Sequence, residues 1–199
     1  MGTNFYARII PKEEDKQKLI DAINDDRDDL IEDLASELYG HRNEYTKKGN
    51  KIHLGKRSCG WKFLWNPNVI RYAEGYLDEN KQYVPVYKYD YVYPLTKQGI
   101  TNFCNREDVV ITDEYGTIYD AEEFLEMAFS WGQPNGYTGK TYEESHKEES
   151  NYRNYYWSEK YQRGMHSEDD EMWFDLGYIV EYYDFESDGL RFSTSIDFS

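Results

Sequence analysis

The feature that most constrains the fold is a change of hydrophobic period within residues 109–131. Residues 109–112 read Val-Val-Ile-Thr, a β-branched run typical of a strand, and residues 117–119 return after an Asp-Glu-Tyr-Gly turn. Asp120 and Glu123 then form a capping box that opens a helix. The apolar residues of that helix share one face: Phe124, Met127, Ala128 and Trp131. Such a unit requires a sheet with a helix packed on it, which indicates an α+β fold.

A second periodic segment, residues 12–40, follows a first strand predicted at residues 4–10. Its apolar residues recur at helical spacing: Leu19, Ile23, Leu30, Leu34 and Leu38. Residues 12–39 hold 11 acids and four bases, so the polar face is strongly acidic. Residues 24–29 read Asn-Asp-Asp-Arg-Asp-Asp, and short acids compete for backbone donors. The segment is therefore either one long helix or a helical hairpin, in both cases an acidic insertion after the first strand.

The rest of the chain supplies further strands. They are predicted at residues 51–56, 61–65, 83–93 (an edge strand or an extended loop), and in a C-terminal hairpin of residues 172–183 and 190–198. Residues 132–171 are polar and Tyr-rich without a strong pattern. We predict a single α+β domain over residues 1–199, with a small mixed or antiparallel sheet and one packed helix.

Composition excludes several classes of function. The 199 residues include 39 acids and 23 bases, and a net charge of −16 argues against a general binder of the nucleic-acid backbone. No apolar run approaches the roughly 20 residues of a membrane span, so no membrane partner is expected. The N-terminus lacks a secretory pattern, and two cysteines are too few for a disulfide scaffold. We expect a cytoplasmic protein.

One segment reverses the overall charge, since residues 45–73 contain no acid. Bases beside flat aromatic rings are what single-stranded nucleic acid uses, phosphates on the cations and bases on the rings. The candidate RNA contacts are Lys47, Lys48, Lys51, Lys56, Arg57 and Lys62, with Trp61, Phe63 and Trp65 between them. The alternative is a strand with solvated lysines outside and tryptophans in the core.

The candidate catalytic residues are His53, Lys56 and Arg57. On a regular strand residues 53 and 57 share a face and residue 56 points away. His53 would then move a proton of a phosphodiester while Arg57 holds the developing charge, with Asp113 or Glu114 orienting the imidazole. The alternative is a structural histidine in the sheet beside an exposed arginine.

No cofactor motif and no metal site are expected. The chain has no phosphate-binding glycine loop, no nucleophile elbow and no zinc helix, and its four histidines have no ligand spacing. The acids of residues 168–171 are more typical of a solvated loop than of a cation site.

Three blocks of the sequence resemble a family of small phage and prophage proteins. Residues 2–8 read Gly-Thr-Asn-Phe-Tyr-Ala-Arg, residues 52–63 read Ile-His-Leu-Gly-Lys-Arg-Ser-Cys-Gly-Trp-Lys-Phe, and residues 111–116 read Ile-Thr-Asp-Glu-Tyr-Gly. Family members open with a similar strand and continue with Ile-His-Ile-Gly-Lys-Ser-Ser-x-Gly-Trp-x-Phe. Arg57 stands where the family usually has serine. The family's Cys-x-x-Cys-like element is absent here, because the acidic segment takes its place, so a family metal site is not carried over.

A helical insertion on such a phage domain is similar to what is expected of an anti-CRISPR protein of the type II class. The resemblance implies an inhibitor in the host bacterial cytoplasm whose partners are a type II CRISPR effector nuclease, its guide RNA, or both. The effector holds its nucleic acids in a strongly positive channel. The acids expected to bind it are Asp25, Asp26, Asp28, Asp29, Glu32 and Asp33.

Three functions thus remain open from the sequence. The first is an inhibitor of a bacterial defence nuclease that blocks guide-RNA assembly or promotes guide-RNA loss. The second is a small RNA-processing phosphodiesterase centred on His53. The third is a phage accessory module that holds other proteins through its Tyr-rich face. The insertion favours the first and the His53 cluster favours the second.

Overall fold

The computed structural model describes residues 2–42, 48–58, 62–132, 156–158, 163–165 and 184–193. The helices are α1 (Glu13–Asn24), α2 (Asp28–Tyr39), α3 (Lys97–Cys104) and α4 (Ala121–Ser130). The first strands are β1 (Gly2–Ile9), β2 (Lys51–Ser58), β3 (Leu64–Trp65), β4 (Val69–Leu77), β5 (Tyr83–Tyr91), β6 (Val109–Asp113) and β7 (Ile118–Tyr119). The later strands are β8 (Tyr156–Ser158), β9 (Arg163–Met165), β10 (Asp184–Ser187) and β11 (Leu190–Ser193).

A mixed seven-stranded sheet organises the chain, and the predicted α+β class is confirmed. Its order is β10-β11-β3-β2-β1-β6-β7, with β11 and β3 parallel and the other neighbours antiparallel. The C-terminal hairpin is present as β10 and β11, joined by Asp188 and Gly189 at positive φ. The whole first predicted strand, residues 172–183, and the end of the second, residues 194–198, lie outside the described residues, and β10 falls closer to the turn than predicted. The segment 132–171, except for residue 132, β8 and β9, also lies outside them.

Two helices, rather than one, pack on the sheet. Asp120 caps α4 by accepting hydrogen bonds from the backbone N–H groups of Glu122 and Glu123, at 2.8 and 3.4 Å, as the capping box predicts. Helix α3, which Thr96 caps at the Gly99 N–H, is absent from the predicted elements. Both helices bury aromatic residues against the sheet. At the centre, the Phe63 and Phe124 rings lie with centroids within 6 Å of each other, and each lies within 6 Å of both Phe5 and Trp65.

The insertion is a helical hairpin, which decides between the two predicted forms. α1 and α2 pack mainly on each other, and the break falls at residues 25–27, where Asp26 has a φ of +52°. Only Ala22 and Leu38 of the hairpin are buried. The strands on either side of it, β1 and β2, are neighbours in the sheet, so the hairpin is an excursion that leaves the sheet order unchanged.

A second excursion is the ribbon of β4 and β5, which pairs over nine residues and forms a sheet of its own. The sequence predicted β5 as an edge strand or an extended loop, and it did not predict β4. No helix among the described residues is long and apolar enough to cross a membrane.

A β-bulge at Gly55 fixes how β2 lies in the sheet. Phe5 of β1 pairs with Gly55 but Tyr6 pairs with His53, so Leu54 is the extra residue. Gly55 has a φ of +151°, and a Cβ atom there would clash with the Leu64 carbonyl oxygen and with the Phe63 ring. Glycine is therefore required by conformation and by space.

We expect Gly55→Ala to lower the free energy of unfolding by about 3 kcal/mol, since it combines backbone strain with a clash in the core. Gly116→Ala is the matched control: φ is +87° but no atom lies within 4 Å of the added Cβ. Strain alone predicts a loss of about 1 kcal/mol there. Urea unfolding of both variants measures the difference, and equal losses would show that the space around Gly55 is not limiting.

Candidate functional site

The six acids predicted to bind a partner all lie exposed on the helical hairpin. Asp25 and Asp26 form the turn between the helices, and the other four lie on the first two turns of α2: Asp28, Asp29, Glu32 and Asp33. Within the described part of the chain, none of the six forms an ion pair. The structure therefore brings them together at one end of the hairpin, with their charge uncompensated.

The other end of the hairpin is neutralised. Lys16 lies 2.5 Å from Glu13, and Lys18 lies 2.6 Å from Asp15, each pair within the first turns of α1. Residues 21–33, which we name the acidic tip, hold seven acids and only Arg27 as a base. The negative field of the hairpin is thus concentrated at the tip.

In the described residues of the basic segment, two of the lysines are paired with acids. Lys48 pairs with Glu37 at 3.6 Å, and Lys62 pairs with Glu186 at 3.7 Å. The ammonium of Lys51 lies 4.3 Å from the centroid of the Tyr6 ring. Lys47 lies outside the described residues. Acids from elsewhere in the chain thus neutralise part of the positive charge that was predicted to bind RNA.

Two of the three rings predicted to stack on RNA bases lie in the core instead. Phe63 and Trp65 are 2% and 1% exposed, and their centroids lie 4.6 Å apart. Trp61 lies outside the described residues. For the two described rings, the alternative interpretation, a strand with its aromatic residues in the core, is the correct one.

The prediction that His53 and Arg57 share a face is wrong, because the bulge at Gly55 shifts the alternation of β2. The His53 ring lies against Tyr6, with centroids 5.1 Å apart, on the face of the sheet away from α4. The Arg57 guanidinium lies on the opposite face, 5.2 Å from the Trp131 ring and 5.9 Å from Phe5. Lys56, predicted to point away, pairs with Asn4 and shares the His53 face.

The surroundings of His53 keep it neutral. Burial lowers its pKa from 6.5 to about 4, and the positive charge of Lys56 and the nearby His41 act in the same direction. A hydrogen bond that the imidazole donates to the Gly55 backbone and the charge of Glu114 oppose this shift without cancelling it. An imidazole with this pKa is a weak general base near pH 7, where a value close to the working pH is best.

The two acids predicted to orient His53 have separate roles. Asp113 is buried and accepts hydrogen bonds from the N–H groups of Tyr115 and Thr117, each at 2.9 Å, and from the Tyr119 hydroxyl at 3.1 Å. It therefore holds the β6–β7 turn. Glu114 lies on the His53 side and accepts a 2.9 Å hydrogen bond from the Asn4 side chain. Of these two acids, only Glu114 affects the pKa of His53, which its negative charge raises.

A stack of rings joins the base of the helical hairpin to the sheet. Tyr6 lies between His53 and His41, whose centroid is 5.6 Å away. His41 directly follows the Gly40 that ends α2, and it bridges to Lys51 of β2. The pKa of His41 is lowered by burial and by the charge of Lys51. The cluster at the predicted catalytic position therefore anchors the hairpin.

A polar clamp that was not predicted from the sequence lies beside His53. Asn68 has a φ of +49°, and its amide nitrogen lies 2.8 Å from the His53 carbonyl oxygen and 2.9 Å from the Tyr93 hydroxyl. Tyr93, which is buried, donates to the Asn66 carbonyl oxygen at 2.5 Å. These residues fix the base of the β4–β5 ribbon, where the chain enters β4 and leaves β5. The signal available in the sequence was the Asn-Pro-Asn turn at residues 66–68.

No family model, curated protein or solved structure matches this chain. Among the described residues, no group of three histidine, cysteine or acidic side chains is placed to hold a metal ion. The acids of residues 168–171 lie outside the described residues. The candidate site therefore rests on the geometry of the helical hairpin and of its anchor.

We expect the neutral His53 to make stability depend on pH. Its folded pKa of about 4 lies below the unfolded value of 6.5, so the unfolded state binds the extra proton between these values. The stabilisation is complete above pH 6.5 and is lost as the pH falls towards 4, by up to about 3 kcal/mol. Urea unfolding at pH 7.5, 5.5 and 4.5 measures it.

His53→Gln is the matched variant, because its side chain does not titrate in this range and still accepts a hydrogen bond. Its free energy of unfolding should fall less between pH 7.5 and pH 4.5 than that of the unaltered protein. Parallel curves for the two proteins would contradict the depressed pKa of His53.

Proposed function

We propose that this protein is a phage-encoded inhibitor of a type II CRISPR effector nuclease, and that it binds the effector through the acidic helical hairpin. The observation that carries the proposal is the uncompensated charge of the acidic tip on an element that contributes little to the core. Residues 21–33 hold seven acids and one base, and the six candidate acids are exposed. The resemblance of the three sequence blocks to phage proteins supports the choice of target.

Charge complementarity explains how such a hairpin would act. RNA-guided effectors bind guide RNA and target in a positively charged channel. A pair of acidic helices would present carboxylates to the same cations that bind phosphates. Complementary fields chiefly raise the rate of association, so the inhibitor would reach an empty channel before the guide does.

Blocking guide-RNA assembly fits the geometry better than cleaving the guide. Cleavage would need His53 and Arg57 on one side of the scissile phosphate, but they lie on opposite faces of the sheet. A proton-transfer role is also disfavoured by the low pKa of His53. Lys51 and Lys56 remain on the outer face, where they are the candidates for contact with the displaced guide RNA.

Incubation with a guide-free type II effector and labelled guide RNA tests the proposal. We expect less effector–guide complex on a native gel and full-length RNA on a denaturing gel, because the acids compete for the channel. If the RNA is shortened by the unaltered protein but stays at full length with the His53→Ala variant, the result would support the phosphodiesterase instead. Normal assembly with intact RNA, over a panel of type II effectors, would contradict inhibition and favour an accessory module.

The charge of the acidic tip can be removed without changing its shape. We expect the fourfold variant Asp25→Asn, Asp26→Asn, Asp28→Asn and Asp29→Asn to bind the effector on the order of a hundredfold more weakly at about 0.1 M salt. The matched control changes four exposed glutamates elsewhere to glutamine: Glu79, Glu107, Glu122 and Glu126. Both variants change the net charge by four, so equal losses would show that total charge, rather than the acidic tip, governs binding.

A further inference from the structure

Two isoleucines on α1 are exposed, one within the acidic tip and one directly before it. Ile20 is 48% exposed and Ile23 is 52% exposed, although isoleucine is one of the most apolar residue types. They lie three residues apart on one helix, so their side chains are neighbours on its surface. Single exposed apolar residues are ordinary, but a pair on an otherwise acidic element is a candidate contact surface.

The packing of the hairpin explains why these side chains stay uncovered. α1 and α2 bury only Ala22 and Leu38 completely. Four other apolar residues of the two helices are half-buried: Leu19, Leu30, Ile31 and Leu34. Two helices that pack mainly on each other cannot cover all of these apolar residues. Part of the apolar surface therefore stays exposed and can contact another molecule.

The charges around this surface restrict what can cover it. The acidic tip repels the phosphates of a nucleic acid, and it repels a second copy of a chain whose net charge is −16. A basic protein surface is attracted. Lysine and arginine carry aliphatic stems beneath their charged ends, so a basic surface also offers apolar contact to an isoleucine.

We propose that Ile20 and Ile23 dock against an apolar depression walled by arginine and lysine stems on the effector, while the acids of the tip pair with the charged ends of those side chains. This inference rests on the proposed function and specifies its contact. The acids guide the approach and the isoleucines supply the buried centre of the interface. The hairpin is thus a protein-binding helix face, not a simple imitation of a nucleic-acid strand.

The test uses the double variant Ile20→Gln and Ile23→Gln in the full chain. Glutamine has good helix propensity and the positions are half-exposed, so the hairpin should still form. Ile118→Gln is the control, because Ile118 is 70% exposed on β7, outside the hairpin. Binding to a guide-free type II effector is measured from about 0.05 to 0.5 M salt, and binding to poly-lysine serves as a purely electrostatic reference.

We expect the double variant to bind the effector at least tenfold more weakly at every salt concentration, with Ile118→Gln unchanged. Both variants should bind poly-lysine as the unaltered protein does, which also shows that the charged surface has kept its form. Effector binding of the double variant equal to that of the unaltered protein would overturn the docking of the isoleucines and leave the proposed inhibitor in place. Absence of effector binding by the unaltered protein would overturn the proposed function itself, and the docking inference with it.

Discussion

The bulge at Gly55 is the constraint on which the two faces of the sheet depend. Without the extra residue, regular alternation would place His53 and Arg57 on one face. With it, Arg57 lies between Phe5 and Trp131, and Trp131 donates a 2.7 Å hydrogen bond to the Ser58 carbonyl oxygen. The guanidinium thus closes the edge of the core beneath α4. The opposite face is left to His53 and its neighbours.

Side chains on that second face anchor the two segments that leave the sheet, the helical hairpin and the β4–β5 ribbon. The stack of Tyr6 with His41 and His53 ties the base of the helical hairpin to β1 and β2. The clamp formed by Asn68 and Tyr93 ties the β4–β5 ribbon to the backbone of His53. His53 therefore belongs to both anchors. Its neutral, partly buried imidazole is better explained by this structural role than by proton transfer.

Local patterns predicted the elements whose stability is local. The N-cap of α4 at Asp120, the acidic helical segment and the C-terminal hairpin all depend on residues close in sequence, and the structure contains each. The bulge could not be predicted, because Gly55 is required by the Leu64 carbonyl and the Phe63 ring on a neighbouring segment. The face of the sheet on which Arg57 lies depends on this bulge, so it could not be predicted either. Helix α3 has a cap at Thr96, but its short length of eight residues gave too little periodicity.

The position of the hairpin separates its charge from the core. A concentration of like charge destabilises a compact state by self-repulsion, and seven acids within the core sheet would cost stability there. On an excursion that buries only Ala22 and Leu38, the same charges repel one another at the surface, where solvent screens them. The core aromatic cluster is unaffected, so the tip can change in sequence while the sheet stays constant. In the proposed inhibitor, this arrangement lets the tip contact the effector without any change in the sheet.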